Sequence, residues 1–276
     1  MQQIEVIKND GSVEIFDPAK LEKSLRRSGA DTQTTNEIVE HIQAELKNRT
    51  KTKEIYQHAF SLLRNSSHTA AMRYSLKKAI MDLGPTGFPF EKLLAVLFEK
   101  QGYKTKVGEI IQGKCAEHEI DVIAWKDDKL IMVEAKFHNM LGTKSDLKDA
   151  LYVTARFDDI RDQEYEYDGK KLKLTEGWLL TNTKFSYTAI NYAKCCGSLK
   201  LIGWSYPEKE NLQDLVEGAS LHPITCLTTL NRSEEKVLMD HGHILCQAVT
   251  EDSLRDVGIR NKNKVARILS EVQRLC

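Results

Sequence analysis

The chain has 276 residues, more than the ~100 to 200 of a typical single domain, so two or three compact units with sizeable cores are expected. Lys plus Arg and Asp plus Glu balance at 40 each, which excludes binding of nucleic acid through a global positive field and leaves that role to local patches. The opening MQQIEVIKNDG has no apolar signal core, and no run approaches the ~20 apolar residues of a membrane span, so a cytoplasmic protein without membrane contact is expected.

Residues 1–83 open with an alternating strand pair, QIEVIKNDGSVEIF, whose Asp10-Gly11 turn is a strong hairpin signal. Asp17-Pro18 then starts a helix, because Asp caps and Pro suits the first helical position, and Gly29 stops it. TTNEIVEHIQAELK, TKEIYQHAFSLLRN and HTAAMRYSLKKAIMDLG carry apolar residues three and four apart and predict three further helices. GPTGFP marks a boundary.

Residues 84–206 alternate element types. FEKLLAVLFEKQGY predicts a helix ending near Gly102, KTKVGEIIQGK a strand, and HEIDVIAWKDDKLIMVEAKFH two strands around a polar turn. SDLKDALYVTARFDDIR and SYTAINYAKCCG read as helices, GWLLTNT and LKLIGWS as buried strands, which together give an α/β order. Residues 207–276 lose strands and show short helices with glycine or polar breaks, faintly repetitive, in LQDLVEGA, SEEKVLMDHG, TEDSLRDVG and KNKVARILSEVQRL. The six cysteines form no C-x-x-C pair and no zinc spacing, and are read as buried or idle thiols.

Three charges interrupt the middle strands. Side chains alternate along a strand, so Glu134 and Lys136 share a face with Met132, while Ile131, Val133, Ala135 and Phe137 line the other. A turn centred on Asp127-Asp128 pairs Trp125 with Leu130 and Ile123 with Met132, and so sets Asp121 opposite Glu134. Opposed carboxylates repel and need a cation between them, for which Lys136 and a divalent metal are the candidates. Such a trio is ordinarily a solvated face. Here Ile123, Trp125, Leu130 and Met132 share that face, which favours a cleft.

The order of Glu91 on a helix, then Asp121, then Glu134-Ala135-Lys136 resembles the PD-(D/E)xK nuclease core, and the run from Phe88 to Ser205 is similar to Mrr-like restriction endonucleases. The resemblance implies an α/β core with a mixed sheet flanked by helices, DNA as partner, and Mg²⁺ or Mn²⁺ as cofactor. It casts Asp121, Glu134, Glu91 and the Ala135 carbonyl as metal ligands, and Lys136 as the residue that faces the scissile phosphate and attacking water. Glu134 stands where Mrr-like members often carry Gln, and AEHEID departs from their Gly-Asp-x-Gly-Ile-Asp form.

VIKNDGSVEIFDPAKLEKSL, TKTKEIYQHAF and AMRYSLKKAI resemble an ATP-cone, the nucleotide-binding regulatory module of ribonucleotide reductases. That resemblance implies ATP or dATP surrounded by Val6, Lys8, Glu14, Lys20, Thr52 and Lys77, with one phosphate contact missing because Asn9 replaces the usual Arg. A helical interaction module with solvated lysines is the alternative. LRDVGIRNKNKVARILSEVQRL resembles a helix-hairpin-helix element made basic by Arg260, Lys262, Lys264, Arg267 and Arg274, with a small docking bundle as the alternative.

The expected function is a metal-dependent DNA endonuclease of the Mrr-like restriction type with a nucleotide-responsive module. Two alternatives stand: a catalytically silent, nucleotide-sensing DNA-binding regulator, and a junction-resolving nuclease. A homodimer or higher oligomer is expected, since one centre cuts one strand.

Overall fold

The computed structural model describes residues 4–276, which divide into two compact units, Met81–Leu221 and a second made of residues 4–80 together with His222–Cys276. Among the described residues no helix is long and apolar enough to cross a membrane.

The first segment begins with the expected hairpin. β1 (Glu5–Ile7) and β2 (Val13–Ile15) pair antiparallel with Val6 opposite Glu14, and Gly11 takes a φ of 81° in the turn. Asp17 caps α1 (Pro18–Arg27) by accepting from the Ala19 N–H, as its sequence position predicts. α2 (Thr32–Glu45) is capped by Asp31. A two-residue strand, β3 (Thr50–Lys51), then adds parallel to β1; it is too short to carry a periodicity and is not legible in the sequence. α3 (Thr52–Ser66) follows directly. The single helix expected over residues 68–84 is divided into α4 (His68–Tyr74) and α5 (Leu76–Met81) at Ser75, whose hydroxyl bonds the Met72 carbonyl at 2.7 Å. Leu25, Ile38, Ile42, Ala59 and Leu63 form the core beneath the strands.

The Met81–Leu221 unit is the expected α/β core with a mixed sheet. α6 (Phe88–Lys100) leads into β4 (Lys104–Gln112), β5 (Glu117–Lys126) and β6 (Lys129–Lys136), an antiparallel meander. β7 (Lys144–Ser145) precedes α7 (Leu147–Ile160), which carries an Asp146/Asp149 capping box. β8 (Tyr165–Tyr167) and β9 (Lys170–Leu172) make a small hairpin at Asp168-Gly169. β10 (Glu176–Thr181) runs parallel to β6, β11 (Lys184–Phe185) pairs with β7, and α8 (Tyr187–Cys196) returns the chain to β12 (Leu199–Ile202) beside β10. The sheet order is β12-β10-β6-β5-β4.

Helices cover both faces of this sheet. α6 is buried through Phe90, Leu93, Leu94, Leu97 and Phe98, the last packing on Trp178 with ring centroids 5.2 Å apart. On the other face, Val153 and Phe157 of α7 join Ile123, Met132 and Leu179 in one apolar cluster. Each such side chain contributes about 1.5–3 kcal/mol by leaving water. Gly177 leaves room for α7, since a Cβ there would fall 2.3 Å from the Phe157 ring.

The segment expected as one C-terminal unit, residues 207–276, is split. α9 (Leu212–Gly218) stays with the Met81–Leu221 unit, because the Leu212 N–H bonds the Gly203 carbonyl at 3.0 Å at the end of β12. α10 (Arg232–Asp240), α11 (Glu251–Asp256) and α12 (Lys262–Leu275) belong with the N-terminal segment. The buried Glu271 carboxylate of α12 makes that join: it accepts from the N–H groups of Thr228 (3.0 Å) and Thr229 (3.1 Å) and lies 2.9 Å from His68 Nε2 on α4.

Candidate active site

The predicted register is in place: Trp125 pairs with Leu130, Ile123 with Met132 and Val122 with Val133. One step further, the Asp121 carboxylate accepts from the Ala135 N–H at 2.6 Å, which ties the end of β5 to β6. Asp121, Glu134 and Lys136 therefore stand on the α7 face of the sheet, as strand parity requires.

α7 meets them. Arg156 donates one guanidinium N–H to Glu134 Oε2 and, at 3.0 Å, to the Glu119 carbonyl, while its other terminal nitrogen reaches the Tyr152 hydroxyl at 2.8 Å. Asp149, two helical turns earlier, lies 3.6 Å from Lys136 Nζ. The Asp149/Arg156 spacing of seven puts both on one stripe of the helix. Sequence reading missed Arg156 and Asp149, although two charges at that spacing beside the buried Ala150 and Val153 are a detectable signal.

Beyond Lys136 the backbone is pinned by Asn182, just after β10. Its side chain accepts from the His138 N–H at 2.8 Å and donates to the His138 carbonyl at 2.9 Å, which fixes the backbone two residues beyond Lys136. His138 Nε2 also meets Ser145 Oγ at 3.0 Å. Glu91, in the first turn of α6, is close enough to Asp121 and Glu119 to feel their charges.

The electrostatics follow from burial. Desolvation, then the Asp121 charge, raises the Glu134 carboxyl to about 7 even though Arg156 and Lys136 oppose the shift. Desolvation, with Asp121 and Glu119 beside it, raises Glu91 to about 7. Desolvation also lifts Asp121, against the Ala135 N–H and Arg156. A buried guanidinium nitrogen, Arg156 Nε, has no hydrogen-bond partner among the described residues. Glu134 is in electrostatic reach of Asp121, Lys136 and Glu91, and carboxylate oxygens are the donor type a hard divalent cation takes, although the three carboxyls do not all lie within 4.8 Å of one another as they stand.

His118, three residues before Asp121 in the AEHEID run, has a structural role instead. It lies 2.8 Å from Asp159, which also receives the Cys115 and Ala116 N–H groups and is held low, to about 2, chiefly by His118.

Of the residues expected around a nucleotide, Lys8 and Lys20 converge on Glu14, at 2.8 and 3.0 Å, and together hold its carboxyl below the usual range. Thr52 starts α3 immediately after β3, whose Thr50 lies opposite Val6. The Val6 side chain is buried in the core of its unit. Lys77 lies on α5 and is not among the residues these contacts bring together. In the C-terminal helices, Lys264 is bound to Glu234 at 2.5 Å, so one of the expected basic groups is already neutralised.

Comparison with known proteins gives three family matches: an ATP cone domain over residues 4–80, a restriction endonuclease domain over 85–205, and an AF1548-like C-terminal domain over 222–276. An uncharacterized protein of Archaeoglobus fulgidus is 40% identical over 185 residues, which span 66% of this chain and 99% of that protein. The crystal structure of AF1548, a protein of unknown function, aligns with 37% identity and a TM-score of 0.54 over 68% of this chain and 97% of that one. MspJI restriction endonuclease, solved with a 27-mer oligonucleotide, aligns at 15% identity over 49% of this chain and 30% of its own, with a TM-score of 0.32, too low to bear on function. The C-terminal match begins at the residue where the compact units divide.

Proposed function

Because this chain belongs to the AF1548-like family and joins an ATP cone to a restriction endonuclease domain, we propose that it is a metal-dependent endodeoxyribonuclease whose activity responds to ATP or dATP. The observation that carries the reading is the gathering of Asp121, Glu134 and Lys136 at the end of the β5–β6 hairpin, with both acidic groups raised by burial. Surface charges left to solvent would not be raised in this way.

Asp121 and Glu134, with Glu91 and the Ala135 carbonyl as further oxygens, would hold Mg²⁺ or Mn²⁺, which supplies polarisation of the phosphate and a lower pKa for the attacking water. The protein's own residues do the rest. Lys136, steadied by Asp149 and by the Asn182 clamp behind it, places a positive charge where phosphoryl oxygens gain negative charge, and orients water. Arg156 fixes the orientation of Glu134 by donating to its Oε2. Carboxyls near 7 release protons when a cation binds, so cleavage should rise with pH through neutrality.

DNA is the proposed substrate, in the cytoplasm, and a homodimer or larger assembly supplies the second centre that a double-strand break needs. In the cone, Lys8, Lys20 and Thr52 are the proposed nucleotide contacts, with Glu14 as the group that holds the two lysines ready. The test is nicking of methylated and unmethylated supercoiled plasmid in Mg²⁺ or Mn²⁺ by wild type, Asp121→Ala, Glu134→Ala and Lys136→Ala. Activity confined to wild type supports the reading, and equal nicking by all four sinks it. DNA binding without cleavage would favour the silent regulator, for which Arg156 already neutralising Glu134 is the supporting observation.

A further inference from the structure

A second set of ligand-bearing side chains lies on the helices of the cone. His41 and Glu45 are four apart on α2 and share a face, and His58 approaches them from α3. Glu45 stands between the two imidazoles, its Oε1 3.5 Å from His41 Nε2 and its Oε2 3.7 Å from His58 Nε2. Neither distance reaches the 2.7–3.2 Å of a made hydrogen bond, so the carboxylate gathers both rings without bonding to either. The rings meet edge to face, with centroids 5.1 Å apart and planes at 80°, an arrangement in which they do not stack against each other.

One ligand atom from each of the three residues lies within 4.8 Å of the other two, and among the described residues this is the one group of His, Cys, Asp and Glu that does so. We propose that His41, Glu45 and His58 form a binding site for a first-row divalent transition-metal ion, zinc above all, which cross-links α2 to α3. In a tetrahedral zinc site, with bonds of about 2.0–2.2 Å, ligand atoms lie roughly 3.3–3.5 Å apart. Closing the present spacing asks for ångström-scale side-chain movement, and the three side chains are 45%, 58% and 37% exposed, so they are free to make it. Two imidazoles and one carboxylate select zinc, copper, nickel or cobalt over Mg²⁺ and Ca²⁺, which take oxygen donors. Three protein ligands leave a fourth position for water.

The site is unlike the carboxylate cluster of the nuclease unit in both donor type and selectivity, and it does not depend on that unit's being a nuclease. Its structural effect is confined to α2 and α3, the latter opening at Thr52, a residue expected to face nucleotide. Zinc binding therefore stiffens one wall of the cone.

The experiment uses the full-length, tag-free chain stripped with chelator, titrated with Zn²⁺ by calorimetry and with Co²⁺ by visible absorption. Wild type is compared with His41→Ala, His58→Ala, Glu45→Gln and the nuclease-centre pair Asp121→Asn/Glu134→Gln, each checked for folding by thermal melting in chelator. The expected result is a zinc class with a tetrahedral cobalt spectrum that the nuclease pair retains. Each His variant should weaken it by at least ~10- to 100-fold, the loss that follows even from removing an outer-shell partner. Zinc uptake undiminished in both His variants would assign it to the exposed thiols of Cys115, Cys195 and Cys196 or to the nuclease carboxylates, and would overturn the proposal. No uptake by wild type at micromolar zinc would overturn it equally.

Discussion

Replacing Glu134 by Gln removes one charge from a site that resists charge, so it should stabilise the metal-free nuclease unit at high pH while abolishing cleavage. The folded Glu134 carboxyl titrates near 7 and its ordinary value is 4.5, so between those values the folded state holds a proton that the unfolded state has lost. Stability contributed by the group is thus fully present below about 4.5 and falls as pH rises through about 7. A displacement of that size corresponds to roughly 3 kcal/mol at pH 8, of which under about 1 kcal/mol is already lost at pH 5. Gln mimics the protonated carboxyl and can still accept from Arg156, so it escapes this loss. The variant should therefore gain roughly 2–3 kcal/mol over wild type on going from pH 5 to pH 8. Urea unfolding in chelator, followed by tryptophan fluorescence, reads the relevant unit alone, because Trp125, Trp178 and Trp204 all lie within Met81–Leu221. A stability difference that is the same at both pH values, or a wild type that is the more stable at pH 8, would refute the reasoning.

Further outcomes follow from the same geometry. Arg156 lowers the Glu134 and Asp121 carboxyls, so Arg156→Met should raise both. At pH 7 the Mg²⁺ needed for half-maximal cleavage should then rise several-fold, because less of each carboxyl is ionised to meet the cation. The gap should narrow at pH 9; increased cleavage at pH 7 would instead mean that the guanidinium obstructs the metal. Gly177→Ala drives a methyl into the Phe157 ring under α7 and should destabilise the nuclease unit by about 1–3 kcal/mol, with an unchanged urea midpoint as the contrary result. Lys8→Ala should weaken ATP or dATP by about tenfold through loss of a charged phosphate contact, measured by calorimetry on the full chain at fixed free Mg²⁺. The full chain is required because residues 222–276 complete the unit that contains the cone. Equal heats from wild type and Lys8→Ala would remove Lys8 from the nucleotide site.

The β5–β6 hairpin is legible in the sequence because a strand's period of two fixes the face of every residue once the turn at Asp127-Asp128 is placed. The same parity puts Asp121 beside the Glu134-Ala135-Lys136 run. Arg156 is hidden because the strand-to-helix contact it makes spans 22 positions and depends on how α7 crosses the sheet. The β8–β9 hairpin does carry a signal, Asp168-Gly169 with both residues at positive φ, but its three-residue strands are shorter than the alternation that a strand needs to be read. The return of the C-terminal helices to α4 rests on the Glu271 carboxylate finding Thr228, Thr229 and His68, a long-range pairing that no local periodicity encodes. His41, Glu45 and His58 escape for the same reason, since only the packing of α2 on α3 brings the third ligand to the other two.

The most direct test of the account is to measure metal binding and phosphodiester cleavage in one sample. Chelator-stripped wild type and Asp121→Asn/Glu134→Gln, both carrying His41→Ala to silence the cone's histidines, are titrated with Mn²⁺ by electron paramagnetic resonance while supercoiled plasmid is sampled for nicks. The expected result is a Mn²⁺ class in the Glu134-containing protein whose filling tracks nicking, with both lost together when the two carboxylates become amides. Nicking that persists in the double variant, or Mn²⁺ bound equally by both proteins, would contradict the claim that these carboxylates build the nuclease centre.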